Sequence, residues 1–391
     1  MKTLSYTLCA VLAAGFAFTG DAQVKPKSKK VTELKYSGRI QGQWDAIETD
    51  AQDGSKEDRN HFYFRRLFLG GHAKAGDNWG GDIVLDFAAS PNTESKTSNG
   101  DQTKTSQVFI DGASVWYKHS DALRVDLGQL KVPFGLEETT SSSKTKAIER
   151  SVVNRQFAEQ LKFNARHTGL FLKGDLDGGY SYKLAAVNSG QNHNSKDSQL
   201  KGGEYGYDSN KLSYYGQLSY ANYDSDITHN LGLAAGYMEL DESANGGADD
   251  ITALNLFGSL GFGRFVLEGE YMTGEVGGVN HEHKGYSLQG SYAISNAPAG
   301  SWELVYRYST VENNEGLVSA KEIVRRANIA ESEVDSIDQH YIGVNYLFNG
   351  HDAKLMVGYE MNDLIDADGD STWNGTKSKA DGFRARVQFL F

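Results

Sequence analysis

The sequence predicts an all-β fold: a transmembrane antiparallel β-barrel of sixteen strands with an inward-folded third loop. Three observations carry that expectation. Apolar and polar residues alternate with a period of two along most of the chain, which lets a strand face lipid on one side and water on the other. No stretch beyond residue 20 reaches the roughly 18 apolar residues of a spanning helix, and a mean hydropathy of −0.51 is what such alternation produces. The chain also closes on Phe383, Ala385, Val387, Phe389 and Phe391, one apolar face ending in an aromatic ring.

Residues 1–22 read as a secretory signal. Lys2 is the basic start, Leu4 to Phe18 the apolar stretch, and Gly20-Asp21-Ala22 the small-residue cleavage site. Cys9, the only cysteine, lies inside the apolar stretch and is expected to leave with the signal, so the mature chain forms no disulfide. Residues 23–32 form a short basic lead-in on the periplasmic side. The barrel domain is expected over 33–391, with no linker dividing it.

The alternation is clearest from Glu33 to Glu48. Leu34, Tyr36, Ile40, Trp44 and Ala46 share one face, and Lys35, Ser37, Arg39, Gln41, Gln43 and Asp45 the other. Further strands are expected at 59–75, 78–89, 106–119, 122–133, 163–174, 179–189, 211–224, 228–241, 250–262, 263–276, 283–295, 301–311, 337–349, 352–362 and 380–391, with the facing of 106–119 and 163–174 ambiguous. The total is even, as single-chain outer-membrane barrels require. Polar stretches at 90–105, 190–208, 242–249, 312–336 and 363–379 read as outer loops; within 312–336, Ser319 to Ala330 suits a short surface helix. Gly76-Asp77-Asn78 and Asn349-Gly350-His351 read as periplasmic turns. A terminal aromatic on an alternating strand resembles the signal by which barrel-assembly machinery recognises its clients, so Phe391 is the expected contact with that machinery.

The stretch from Ala122 to Ser151 decides function. Pro133 has no N–H for a strand ladder, and the segment beyond it is too long for a tight turn and too polar for a core. A long ordered loop in a strand-rich chain is usually functional. Residues 134–162 are therefore expected to fold back and narrow the lumen, with Lys144, Lys146 and Arg150 supplying positive charge.

Alternation also turns Lys35, Arg39, Arg66, Arg124, Arg264, Arg307, Lys354, Arg384 and Arg386 inward. Rings of Arg and Lys suit anion pores. The competing reading pairs them with Asp45, Asp86, Asp126, Glu268, Glu270, Glu303 and Glu360 as wall braces. The net charge of −12 argues against nucleic-acid binding. Asp366-Ala367-Asp368-Gly369-Asp370 begins like a calcium loop, but Ser371 and Lys377 break its pattern. His281-Glu282-His283 lacks zinc-protease spacing, and neither a nucleophile elbow nor a phosphate-binding P-loop is present. No enzyme activity, metal or cofactor is expected.

Several blocks resemble the phosphate-selective porin O/P family. They are Phe64-Arg65-Arg66 through Gly71, Asp86-Phe87-Ala88, Gly128 through Glu137, Glu149-Arg150-Ser151, Arg166-His167-Thr168-Gly169, Tyr306-Arg307-Tyr308-Ser309 and Gly343 through Asn349. The resemblance implies a sixteen-stranded homotrimeric channel in the bacterial outer membrane. It implies Arg66, Lys144 and Lys146 at the constriction, hydroxyls from Ser141, Ser142 and Ser143, and Asp111 near a bound anion. Phe68 departs from the family, whose phosphate-specific members carry Tyr there, and loses a donor. The expected function is passive diffusion of small hydrophilic solutes, leaning toward anions such as phosphate. The alternatives are a general or mildly cation-leaning porin and a structural or adhesive barrel with a closed lumen.

Overall fold

The computed structural model describes residues 31–391 except 51–55, 89–94, 97–101, 104–107, 190–210, 241, 243–246, 296–299, 325–332 and 367–376. The signal segment and most of the lead-in lie outside the described residues, as does the calcium-like run after Asp366.

Sixteen antiparallel strands close into one barrel. They are β1 Glu33–Asp50, β2 Lys56–Ala75, β3 Trp79–Asp86 and β4 Phe109–Ser120. Next come β5 Leu123–Lys131, β6 Arg166–Asp175, β7 Tyr180–Asn188 and β8 Leu212–Asn222. The third quarter is β9 Ile227–Glu239, β10 Asp250–Phe262, β11 Phe265–Val276 and β12 His281–Ala293. The last is β13 Ser301–Asn313, β14 Ser336–Asn349, β15 Ala353–Ile365 and β16 Lys377–Leu390. Each strand pairs with its chain neighbours, and β16 closes on β1 from Arg39↔Leu390 to Asp50↔Lys379. Full closure leaves no unpaired edge, the condition for strands in lipid. No helix among the described residues is long and apolar enough to cross a membrane.

The pleat sorts side chains as the alternation predicts. Phe62, Val115, Leu127, Leu254, Leu256 and Val387 stand more than half exposed on the outer face. Gln41, Asp45, Arg307, Lys354, Arg384 and Gln388 are buried within the barrel. Outward rings pair near the strand ends, with Trp79 and Tyr117 4.9 Å apart and Trp302 and Tyr346 4.6 Å apart. Aromatic girdles of this kind mark membrane interfaces.

Two β-bulges shift the alternation where it matters. One lies opposite Arg65, between Gln41 and Gly42 on β1, and the other between Val84 and Leu85 on the β3–β4 pair. The second explains the ambiguous facing of 106–119: Asp111 is the extra residue between Ile110 and Gly112, and the alternation restarts after it. The segment 163–174 is ambiguous because its first residues belong to the preceding loop, the strand starting at Arg166.

Among the described residues the helix within 312–336 is a single turn, Ala320–Ile323. Lys321 is exposed, but Ala320, Ile323 and Val324 are buried. Their apolar side chains are covered by the third loop, so this seventh loop also folds into the barrel mouth.

Candidate functional site

The third loop occupies 132–165, between β5 and β6. It crosses the lumen and is braced on opposite walls. Its descending arm carries a short helix, α1 Leu136–Thr139, whose Leu136 and Glu137 N–H groups donate to Glu270 on β11. The tip then meets the β15–β16–β1 wall. Arg39 donates to the Ser142 hydroxyl at 2.5 Å and the Ser141 hydroxyl at 3.2 Å. Gln388 donates to the Ser143 carbonyl, and Lys354 Nζ to the Thr145 carbonyl at 2.8 Å. Asn345 on β14 donates to the Lys146 carbonyl at 2.9 Å.

The ascending arm is not polar, contrary to the sequence reading of the loop as unfit for a core. It holds α2 Val152–Arg155, capped by the Ser151 hydroxyl accepting from the Asn154 N–H, followed by a wider turn at Gln156–Gln160. Val152, Val153, Phe157 and Phe163 are fully buried. Phe163 meets Phe134 edge-on at 5.0 Å and Tyr215 of β8 at 5.1 Å. Such pairs add about 0.5–1.5 kcal/mol each beyond area burial. Gln160 and Arg155 reach the seventh loop, donating to the Leu317 and Ile323 carbonyls.

Between the arms sits Glu149, 4% exposed. It accepts from Arg65, from Arg386 at 2.7 Å and from Gln43 at 3.2 Å, and its carbonyl accepts from Arg307 at 2.8 Å. Consecutive strand residues normally face opposite ways. The bulge at Gln41/Gly42 removes that constraint, so Arg65 and Arg66 both reach inward, Arg66 donating to Gln41 Oε1 at 2.9 Å. Of these two arginines Arg66 is the one expected at the constriction; Arg65 is the one that bonds the loop, through Glu149.

The other expected residues divide by partner. Lys146 bonds Glu268 at 3.0 Å, and Lys144 is exposed with no carboxylate in ion-pair range among the described residues. Arg150 is held by Glu138 and by the Glu137 and Thr140 carbonyls. Burial alone would raise the Glu138 carboxyl, but Arg150 and Lys131 beside it hold it below the ordinary value. Asp111 pairs with Arg166 at 2.6 Å. On the wall, Arg384 pairs with Glu360 and Asp45, Arg307 with Glu137, and Arg124 with Asp126 while lying over Trp116. Lys35 stands at the rim with Glu33. Arg39, Arg66 and Lys354 have no carboxylate in ion-pair range among the described residues. Arg264 corrects an expectation: it lies in the β10–β11 turn, over the outward ring of Tyr292 at 5.1 Å and donating to the Ile294 carbonyl, not in the lumen. Strand β11 starts only at Phe265, so the predicted 263–276 alternation included two turn residues.

Arg39, Lys131, Arg150 and Arg166 form a group of cations on the β1–β6 side. Arg39 is in electrostatic range of Asp111, Arg166 and Arg150, and Lys131 of Arg150, Glu138 and Arg166. Asp111 and Glu138 are the carboxylates that pair with this group. The opposite side of the loop is mixed in sign. There Lys144 and Lys146 share a cleft with Glu137, Glu268, Glu270 and Arg307.

Residues 34–391 match the family model for phosphate-selective porins O and P. The chain belongs to this family. Porin O of Pseudomonas aeruginosa is 23% identical over 463 residues, covering 100% of this chain and 98% of its own. The outer membrane channel DcaP of Acinetobacter baumannii has the same fold at TM-score 0.61 and 15% identity, over 94% of this porin and 99% of its own chain. An anion-selective porin from Comamonas acidovorans aligns at TM-score 0.59 and 14% identity, over 92% and 99%. The porin is thus a channel of the bacterial outer membrane.

Sequence reasoning missed Arg65, Lys131 and Arg166 as site residues of the porin. All three stand inside the motifs that carry the family resemblance, and that placement was the available signal. Lys131 is two residues before Pro133, at the point where the chain leaves the wall.

Proposed function

We propose that this porin passes small hydrophilic solutes passively and favours anions of the phosphate type. The observation that carries the reading is the group Arg39, Lys131, Arg150 and Arg166 beside the third loop, four cations against Asp111 and Glu138. A narrowed aqueous path focuses the field of such a group, and guanidinium forks match phosphate oxygens. The family description and the anion-selective neighbour support the same choice. Assembly as a homotrimer is proposed on the family resemblance, and the mass of the detergent-solubilised complex tests it.

A general or mildly cation-leaning pore is the second reading, favoured by Glu137, Glu268 and Glu270 on the other side of the loop and by the net charge of −12. Reversal potentials across a salt gradient with chloride, phosphate and pyrophosphate separate the two. Anion preference that rises toward phosphate supports the first; a potential of opposite sign supports the second. A closed, adhesive barrel predicts no flux into liposomes.

A further inference from the structure

Glu270 is a buried carboxylate without a cation. It is 6% exposed, and its Oε2 accepts the Leu136 and Glu137 N–H groups. Its Oε1 is buried with no hydrogen-bond partner. No Lys or Arg among the described residues lies in ion-pair range of it. Burying a carboxylate is costly unless it is paired. Two positions along the same inward face, Glu268 receives Lys146 and Gln289 on Oε2, at 3.0 and 2.8 Å. Its Oε1 has no bonding partner among the described residues. Both carboxylates line the cleft between the third loop and β11–β13, and Lys144, without an ion-pair partner among the described residues, borders the same cleft.

We propose that this cleft is a binding subsite for zwitterionic solutes carrying a primary ammonium group, such as short amino acids. The solute's ammonium supplies N–H donors to the unpartnered Oε1 atoms of Glu270 and Glu268. Its acid group faces Lys144. An ammonium with three donors suits two acceptors on adjacent inward positions, whereas a quaternary amine offers none. A purely anionic solute meets the two carboxylates, and a purely cationic one meets Lys144 and Lys146. The site therefore selects for both charges on one molecule, and it rests on the reading of the protein as an open pore.

The test uses the full-length protein in planar bilayers with potassium chloride. Glycine, β-alanine and γ-aminobutyrate are added, with butyrate, butylammonium and the N-trimethyl analogue of γ-aminobutyrate as controls. At least one amino acid should interrupt the current at a lower concentration than all three controls. Glu270→Gln and Lys144→Gln should each raise its half-blocking concentration by roughly tenfold, the loss of one charge-assisted contact. The Lys144 side chain makes no hydrogen bond or ion pair to the wall among the described residues, so its substitution reports binding even if Glu270→Gln assembles poorly. Block no stronger than by the controls, or unchanged in Lys144→Gln, overturns the subsite while leaving the pore intact. Absence of potassium chloride conductance overturns the pore reading itself, and the subsite with it.

Discussion

Glu149 of the third loop grips Arg65 of β2 at two points, Oε1 lying 3.0 Å from Nε and Oε2 3.3 Å from Nη2. The pair is buried and joins residues 84 apart in the chain. Arg386 shares the same carboxylate. The loop is thus tied to the β1–β2–β16 seam where the barrel closes.

Glu149→Gln should free the loop without opening the barrel. Removing one partner of a buried ion pair costs about 3–5 kcal/mol, here charged to loop placement because the strand ladder is untouched. Single-channel recordings should show a larger, noisier conductance, while folded and heat-unfolded forms still separate on gels. A wild-type conductance trace would show that Glu149 does not position the loop.

Selectivity should follow the cation group. Arg39→Gln and Arg166→Gln should each move the reversal potential toward zero, and the double variant further. Arg166→Gln also releases Asp111, adding a free negative charge, so its effect should exceed that of Arg39→Gln. Lys144→Gln with Lys146→Gln should weaken anion preference less, because Glu268 already offsets Lys146. The order of these shifts is the measurement.

Acid should loosen the loop tip. Glu138 is held below its ordinary value, so its contribution is complete above the usual carboxylate range and is lost as pH falls through the lowered value. His351, in the β14–β15 turn beneath the tip, is pushed down to about 4 by burial and by Lys354, Lys144 and Lys146. Its contribution is present above its ordinary value and declines as pH falls toward about 4. Both act in the same direction. Conductance fluctuations should grow on acidification, and Glu138→Gln should show at neutral pH part of what the native protein shows in acid.

Barrel closure should depend on Phe391. Its N–H donates to the Gly38 carbonyl at 3.1 Å, and the Gly38 N–H donates to its carbonyl at 2.7 Å. A Cβ at Gly38 would fall 2.1 Å from the Phe391 ring. Deleting Phe391, or Gly38→Val, should lower the yield of folded barrel. Phe391→Tyr should be tolerated, since the ring is half exposed at the interface. Folded yield after refolding into detergent gives the comparison.

The strands were legible because two-residue periodicity is local; the expected 250–262 strand coincides with β10. Lipid rewards the pattern at every position, so few other readings survive. The loop's inward course was legible from Pro133 and its length. Its anchors were not, since Glu149 with Arg65 and Thr145 with Lys354 are contacts between distant segments. Arg65 was hidden by the bulge, which overrides alternation at that residue. The buried ascending arm was hidden because Val152, Val153, Phe157 and Phe163 are spaced among polar residues whose partners, Ile323, His283 and Leu317, lie far away in the chain. Arg264 was placed wrongly because a turn residue inherits the pattern of the strand it precedes.

The hydrogen bonds from Gln160 and Arg155 to the carbonyls of Leu317 and Ile323 make the outer mouth and the narrowed region one mechanical unit. A peptide tag spliced beside Ile323 would not be a silent label on the cell surface. It would tug on the arm that ends at Glu149, and its presence would be heard in the current.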